Sequence, residues 1–236
     1  MISEDYYFRK LLHAVTYYLS YQERIGRNFM VNESSLKYPV ADYLTGFEMP
    51  LAHIQLEYPH PKLKGRRIDL VIRPTEDKIE KAFEFKIAKY ETQNLTEQKR
   101  IFNDLMRLHL IASQCNSYCY FMIVGKQEEF ISYFRSTPQN KNNPTLEDKE
   151  KAIPGSKGFY TEWFGFKEDE QKTFNVKNSL NDVYKNIYQA FPDDYNSKDN
   201  EMVELPDNLT TTCQAISILS RDFEMPYVGG IWKIGK

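Results

Sequence analysis

The chain has 236 residues, and its 31 Lys and Arg nearly balance its 33 Asp and Glu, so the formal net charge is −2. This length predicts one elaborated domain, or one core with a smaller appendage. The near-neutral charge excludes proteins that coat nucleic acid by bulk charge, although it allows a local basic groove. Hydrophobic residues make up 41% of the chain, as expected for a globular protein with a real core.

Targeting and redox signals are weak in this sequence. The opening residues MISEDYYFRKLL lack the basic and apolar pattern of a secretory signal. The longest uncharged stretch, about 108–125, contains too many polar residues for a membrane span. Three cysteines, Cys115, Cys119 and Cys213, show no metal-type pairing, which favours reduced thiols. We therefore expect a soluble, cytoplasmic protein with no membrane partner.

Two helical segments open the chain. Residues 4–25 carry apolar side chains at three-to-four spacing, and Gly26 is a plausible stop. A second helix is predicted over 32–44, with Asn32 as its N-cap. Pro39 deletes one backbone hydrogen bond inside a helix, so this segment either kinks there or begins near Pro39.

Three strands, a helix and a fourth strand follow. The strands are predicted by apolar alternation, and a short polar turn between the second and third indicates a hairpin. The last strand is a continuous apolar run, typical of a buried parallel strand. These elements are predicted at 53–58, 67–73, 79–88, 96–112 (with Thr96 as a cap) and 118–124.

The segment after Gly125 has a mixed pattern. The chain therefore divides into an N-terminal helical extension (1–31), a core (32–125) and a C-terminal α+β elaboration (126–236). The aromatic side chains at 159–174 and 184–195 are candidates for a dimer or DNA interface. The elaboration is predicted to hold a short helix at 127–135, loops at 136–158 and 192–208, aromatic strand-like pieces at 159–176, a helix at 179–191, and two strands within the last thirty residues.

The hairpin brings charged residues together. If it closes symmetrically between Glu76 and Asp77, Asp69 lies opposite Glu84, at about 4.5–5.5 Å between Cβ atoms. Because side chains alternate across a strand, Lys86 shares their face. The other face is predicted to be apolar and to hold Ile68, Leu70, Ile72, Phe83, Phe85 and Ile87.

Two opposed carboxylates on a sheet destabilise it unless something compensates their charge. Mg²⁺ is one candidate, since it commonly uses one or two carboxylates and leaves positions for water and phosphate oxygens. Lys86 could then position or deprotonate a metal-bound water for attack on phosphorus. The alternative is an ordinary solvated outer face of a hairpin.

The order helix, three strands, helix, strand, with Asp69 in the second strand and Glu84-Phe85-Lys86 in the third, resembles the PD-(D/E)xK nuclease superfamily. That superfamily includes many restriction endonucleases. The resemblance covers about residues 30–125, and Ile68 stands where proline is common in the family. It implies an α/β fold with a restriction-endonuclease-like αβββαβ core, in which helices flank a mixed central sheet.

The resemblance also implies roles for individual residues. Asp69 and Glu84 would bind metal, and Lys86 would assist the attacking water. Many members carry a further glutamate in the preceding helix that contacts metal or water; Glu33 is the best-placed match and Glu23 the alternative. The implied cofactor is Mg²⁺, with Mn²⁺ as a substitute.

Substrate contacts are predicted on both sides of this motif. A basic loop precedes Asp69 and could contact phosphates, since such contacts dominate nucleic-acid affinity, or it could simply be solvated. The helix after the third strand opens with side chains that family members often turn toward the active site. Glu57 is either a surface residue or an acid that supports the site. The substrate-binding candidates are Lys62, Lys64, Arg66, Arg67, Gln98 and Lys99.

These observations predict a Mg²⁺-dependent endonuclease that hydrolyses DNA phosphodiester bonds, with restriction or defence enzymes as the candidate type. Cleavage of both strands by one site per chain would favour a homodimer. A non-catalytic nucleic-acid- or protein-binding module of the same fold, or a nuclease acting on RNA, remain open alternatives. The four histidines lack zinc-site spacing, and no Gly-rich phosphate loop indicates a nucleotide cofactor.

Overall fold

A computed structural model describes residues 4–46, 49–89, 95–134, 163–176, 206–217 and 226–235. Within these residues there are four α-helices: α1 (Glu4–Arg24), α2 (Glu33–Gly46), α3 (Leu95–Gln114) and α4 (Gln127–Tyr133). The same described ranges contain seven strands: β1 (Ile54–Pro59), β2 (Arg67–Ile72), β3 (Lys81–Ala88), β4 (Tyr118–Lys126), β5 (Gln171–Asn175), β6 (Asn208–Ser217) and β7 (Tyr227–Ile234).

All seven strands form one mixed sheet in the order β1-β2-β3-β4-β7-β6-β5. Neighbouring strands are antiparallel except β3 and β4, which run parallel and are connected through the segment that contains α3. A parallel pair needs such a crossover, because its two strands start at the same end of the sheet. The fold is therefore a mixed α/β arrangement, with helices flanking a seven-stranded sheet.

Each face of the sheet has its own hydrophobic core. The apolar sides of α1 and α2 pack on one face and bury Leu12, Leu36, Phe83 and Phe85, among others. The apolar side of α3, together with α4, covers the opposite face. The alternation predicted for β3 is thus confirmed, since Phe83, Phe85 and Ile87 all lie in the core of α1 and α2.

The start of α2 follows from its capping residues. The Asn32 side-chain oxygen accepts the Ser35 backbone N–H at 3.0 Å, and the Ser35 hydroxyl accepts the Asn32 N–H at 3.2 Å. This reciprocal pair satisfies amides that the first turn leaves without helical partners. The helix then continues through Pro39 to Gly46, which rules out a start near Pro39.

The predicted hairpin register is confirmed. Leu70 pairs with Phe83 and Ile72 with Lys81, as a turn centred between Glu76 and Asp77 requires. One predicted face is wrong: Ile68 packs in the core beneath α3 and not with Leu70. The strict alternation of β2 is therefore lost between these two residues.

The two strands predicted near the end of the sequence are confirmed as β6 and β7, and both extend the same sheet. Trp163 and Phe164 are fully buried in the α3-side core, so this part of the aromatic-rich segment is not the exposed interface that we expected. The 136–158 loop, the 179–191 helix and the 184–195 interface lie outside the described residues. None of the described helices is long and apolar enough to cross a membrane.

Candidate functional site

The strands β2 and β3 separate beyond the Leu70–Phe83 pair, and we call this point the fork. There a side chain replaces a backbone partner in the β2–β3 hydrogen-bond ladder: Asp69 Oδ2 accepts the Phe85 backbone N–H at 2.9 Å. On the other side of β2, pairing with β1 skips Glu57, which has a left-handed φ of 52°. The irregularity on both sides of Asp69 accounts for the lost alternation that sends Ile68 to the opposite core.

Glu84 lies at the fork and is only 3% exposed. Its Oε1 accepts hydrogen bonds from Arg107 Nη2 at 2.9 Å and Nε at 3.1 Å, and Arg107 also pairs with Asp104. Burial raises the pKa of Glu84 well above its ordinary value; Arg107 opposes that shift, while Asp104 and Asp69 add to it. Asp69 is thus close enough to affect the pKa of Glu84, although the two strands do not pair at these residues.

Lys86 follows on the same face of β3 and connects two helices. Its Nζ lies 3.2 Å from Glu33 Oε1 at the start of α2, and 3.3 Å from Asp104 Oδ2 on α3. Burial lowers the pKa of Lys86, but the neighbouring carboxylates, with Asp104 first, outweigh burial and raise the pKa above its ordinary value. Lys86 is therefore held as an ammonium group.

The first turns of α2 supply an acid and a cation. Glu33 and Lys37 are four residues apart, a spacing that places them on one side of the helix. Lys37 Nζ lies 3.0 Å from Asp69 Oδ1 and also pairs with Glu57 of β1. Burial lowers the pKa of Lys37, yet Glu57 and Asp69 raise it more. Glu33 and not Glu23 thus reaches Lys86, while Glu23 pairs with Lys126.

These side chains form one charged cluster with more acidic than cationic groups. Its inner part is buried between β3 and α3, and it opens to solvent at Glu33 and Glu57, whose side chains are 45% and 47% exposed. The charged cluster contains six carboxyl groups, Glu33, Glu57, Asp69, Glu84, Glu97 and Asp104, and three cations, Lys37, Lys86 and Arg107.

Four members of the charged cluster were missed from the sequence: Lys37, Glu97, Asp104 and Arg107. The signal for the last three is their spacing on α3, since separations of seven and three residues place them on one side of a helix. This charged stripe lies beside the apolar stripe that predicted the helix. It was not recognised because charged residues at such spacing are common on exposed helix surfaces. Lys37 had a similar signal, because it follows Glu33 by one helical turn.

The predicted substrate contacts lie around this cluster. Lys64 and Arg67 are exposed, and Lys62 and Arg66 are half-buried, in and beside the loop before β2. Gln98 and Lys99 are half-buried in the first turn of α3, where the adjacent Glu97 is the residue that interacts with Lys86. Their roles toward a substrate stay predictions.

Buried His60 fixes the basic loop to α3. Its Nδ1 accepts the backbone N–H groups of Lys62 and Leu63 at 3.1 and 3.0 Å. The proton therefore belongs on Nε2, which lies 3.2 Å from the Arg107 carbonyl oxygen and donates to it. This single side chain ties the loop to the residue that pairs with Glu84.

The charged cluster offers oxygen ligands but not a ready-made cage. Within the described ranges, no three Asp, Glu, His or Cys side chains are arranged to hold a metal ion. Lys37 and Arg107 each pair with one of the two central carboxylates, Asp69 and Glu84. Two adjacent carboxylates still fit Mg²⁺, which commonly takes one or two from the protein.

Comparisons of the chain with protein-family models, curated proteins and solved structures find no match. The residues of the charged cluster are thus the basis for any statement about function.

Proposed function

We propose that the chain is a Mg²⁺-dependent endonuclease that hydrolyses DNA phosphodiester bonds at the charged cluster, on a restriction-endonuclease-like PD-(D/E)xK core. The observation that carries this proposal is the convergence at the fork of Asp69, Glu84 and Lys86 with Glu33. Burying charge of this kind is rarely the most stable solution for a core. A role beyond stability is the simplest reason for its composition.

Asp69 and Glu84 would hold the cation, and Glu33 would support them from the solvent-facing mouth. Bound Mg²⁺ supplies charge stabilisation to the phosphoryl oxygens and makes a coordinated water more acidic. Mn²⁺ should substitute, since it prefers the same oxygen ligands.

Lys86 keeps its proton, because three carboxylates raise its pKa. Of the two roles considered for it, we therefore favour positioning: the ammonium Nζ donates hydrogen bonds to the attacking water or to a phosphate oxygen. Asp104 and Glu33 hold Nζ in place for that role. The basic loop and the start of α3 would contact flanking phosphates, and a homodimer would bring two sites to the two strands.

The test is plasmid cleavage by the purified full chain with Mg²⁺, and with EDTA as the blank. We expect Asp69→Asn and Lys86→Ala to lower the rate by about 100-fold to 1,000-fold, the usual effect of removing one group that stabilises the transition state. Lys126→Ala is the matched control, because Lys126 also pairs with a glutamate, but on the surface. Equal cleavage by wild type and Lys86→Ala would contradict the proposal, and preferential cleavage of RNA would select the RNA alternative.

A second candidate is a non-catalytic module that uses the charged cluster only to hold its fold. The ion pairs of Lys37 with Asp69 and of Arg107 with Glu84 favour it, since both central carboxylates already have cationic partners. Such a module would bind no Mg²⁺ at these residues.

A further inference from the structure

Large apolar side chains stand exposed along the outer side of α1 and the turn that follows it. Tyr17, Tyr21 and Phe29 are 64%, 50% and 76% exposed, although the opposite side of the same helix is a fully buried apolar stripe. Four-residue steps separate the residues from Tyr17 onward, which keeps those within α1 on one side of the helix. We call Tyr6, Tyr17, Tyr21, Ile25 and Phe29 the aromatic ridge.

Cations outnumber acids between the first and last residues of the aromatic ridge, although Glu4 and Asp5 directly precede it. Between Tyr6 and Met30 the sequence has four cations and one acid, Glu23. Lys126 neutralises that acid through an ion pair, and Glu168 neutralises Arg9 in the same way. Lys10 lies over the Tyr6 ring, with its Nζ 5.3 Å from the centroid, and Arg24 and Arg27 are exposed beside Ile25. Exposed rings with cations between them are what a polyanion with stackable bases requires.

The spacing of the rings favours an unpaired strand over a duplex. Tyr17 and Tyr21 are one step apart on the helix, which is about 6 Å along its axis. Bases in a B-form strand are only about 3.4 Å apart, so they would have to unstack to meet successive rings. A single strand unstacks readily, and stacking on aromatic side chains tolerates any base sequence.

The aromatic ridge also leads toward the charged cluster. Phe29 precedes Glu33 by four residues, which limits the distance between their Cα atoms to about 14 Å. Glu33 stands at the solvent-facing mouth of the charged cluster and pairs with Lys86. A strand that lies along the ridge would therefore end within a few nucleotides of the candidate catalytic residues.

We infer that the aromatic ridge binds single-stranded DNA and that the substrate of the proposed nuclease includes an unpaired segment next to the cleaved bond. The binding of single-stranded DNA does not depend on the proposed function; only the statement about the nuclease substrate rests on it. Tyr17, Tyr21 and Phe29 stack on bases, while Lys10, Arg24 and Arg27 contact phosphates. A second copy of the chain fits less well, because cations interrupt the ridge and it is not a continuous apolar strip. An anionic lipid surface is the competing outcome of the test.

The binding test uses the full-length Asp69→Asn chain in EDTA, so that no cleavage takes place. Fluorescence anisotropy with labelled oligothymidylate, and with a duplex of the same length, measures affinity at fixed salt. We expect tighter binding of the single strand. The triple variant Tyr17→Ala/Tyr21→Ala/Phe29→Ala should lose affinity by on the order of 100-fold or more, the product of three stacking contacts.

Two further variants make the result specific. Tyr17→Phe/Tyr21→Phe should keep the affinity within about twofold, since the rings and not the hydroxyl groups stack. Tyr118→Ala is the matched control, because Tyr118 is a 52% exposed tyrosine at the start of β4 and not a member of the ridge, and its loss should change nothing. Urea unfolding of each variant checks the fold, which exposed substitutions should leave intact.

Unchanged affinity of the triple alanine variant, or a preference for duplex, would overturn the inference. So would a ridge-dependent loss of dimer in light scattering, or of binding to anionic phospholipid vesicles, with oligonucleotide affinity unchanged. The proposed function fails separately: ridge-dependent binding without Mg²⁺-dependent plasmid cleavage would overturn the nuclease and leave the single-strand site standing.

Discussion

The two faces of β3 are equally buried but chemically opposite. Phe83, Phe85 and Ile87 face the core of α1 and α2, whereas Glu84 and Lys86 face α3. Burial of the aromatic side chains removes apolar surface from water and stabilises the fold. Burial of the two charged side chains costs desolvation free energy, which the ion pairs around them only offset.

In our proposal, the apolar face of β3 holds the fold together and the charged face carries the activity. An apolar residue at Glu84 or Lys86 would serve the core as well or better, provided its neighbours changed with it. The surface pairs Lys126–Glu23 and Lys172–Glu170 cost little and contribute little. The buried charges are the basis of the proposed activity, and each face of β3 can be tested for its own role.

A cavity in the apolar face of β3 should destabilise the fold. Phe85→Ala removes a ring that is 1% exposed, and we expect a loss of about 3–5 kcal/mol in the free energy of unfolding. Urea denaturation measures it. Leu51→Ala, at a position 70% exposed, should stay within about 0.5 kcal/mol and serves as the control. A small effect at Phe85 would mean that this face is not the main core.

Loss of one buried cation from the charged face of β3 should also destabilise the fold. Arg107→Met leaves Glu84 and Asp104 without their guanidinium partner, and we expect a loss of about 3–5 kcal/mol. Arg100 on the same helix pairs with Glu97 but is mostly exposed, so Arg100→Met should cost less than about 1 kcal/mol. Similar effects of both substitutions in urea denaturation would contradict the buried pairing.

The raised pKa of Glu84 should make the free energy of unfolding depend on pH. Its folded-state pKa is raised by burial, so above its ordinary pKa the folded chain binds more protons than the unfolded chain. The free energy of unfolding then falls as pH rises through the raised pKa, by at most about 1.4 kcal/mol per pH unit for one group. In EDTA, Glu84→Gln should flatten this fall. An unchanged slope would mean that Glu84 does not titrate in this way.

Lys37 should compete with a cation for Asp69. Its Nζ lies 3.0 Å from Asp69 Oδ1, so Lys37→Met frees that oxygen and should tighten Mg²⁺ binding on the order of tenfold, the worth of one charge-assisted hydrogen bond. Isothermal titration calorimetry measures the change, with Lys126→Met as the control. Weaker binding in Lys37→Met would show that Lys37 supports the site and does not occupy it.

Much of the fold could be predicted because its signals are local. The Asn32 cap, the turn beyond Glu76 and the alternation of Phe83 and Phe85 each specify a neighbour within a few residues. Ile68 was assigned to the wrong face because the fork depends on a hydrogen bond from the Asp69 side chain to β3. The alternation of apolar residues along β2 does not reveal that bond.

The candidate site was only half predictable for the same reason. Asp69, Glu84 and Lys86 come from one hairpin, so the predicted register placed them near one another, although the two strands separate before Asp69 and Glu84 would pair. Asp104 and Arg107 reach them across a helix–sheet contact, which a single sequence does not encode as spacing. The exposed rings of α1 were missed because tyrosines at helical spacing resemble a core stripe until the buried side of the helix is known.

The most direct test of the charged cluster is a calorimetric titration of the purified full chain with Mg²⁺, repeated for Asp69→Asn/Glu84→Gln. If the buried charges serve as a cation site, wild type shows saturable binding and the double variant loses it while remaining folded. No saturable heat in wild type, or the same heat in the double variant, would contradict that claim and leave the charged cluster as a structural feature alone.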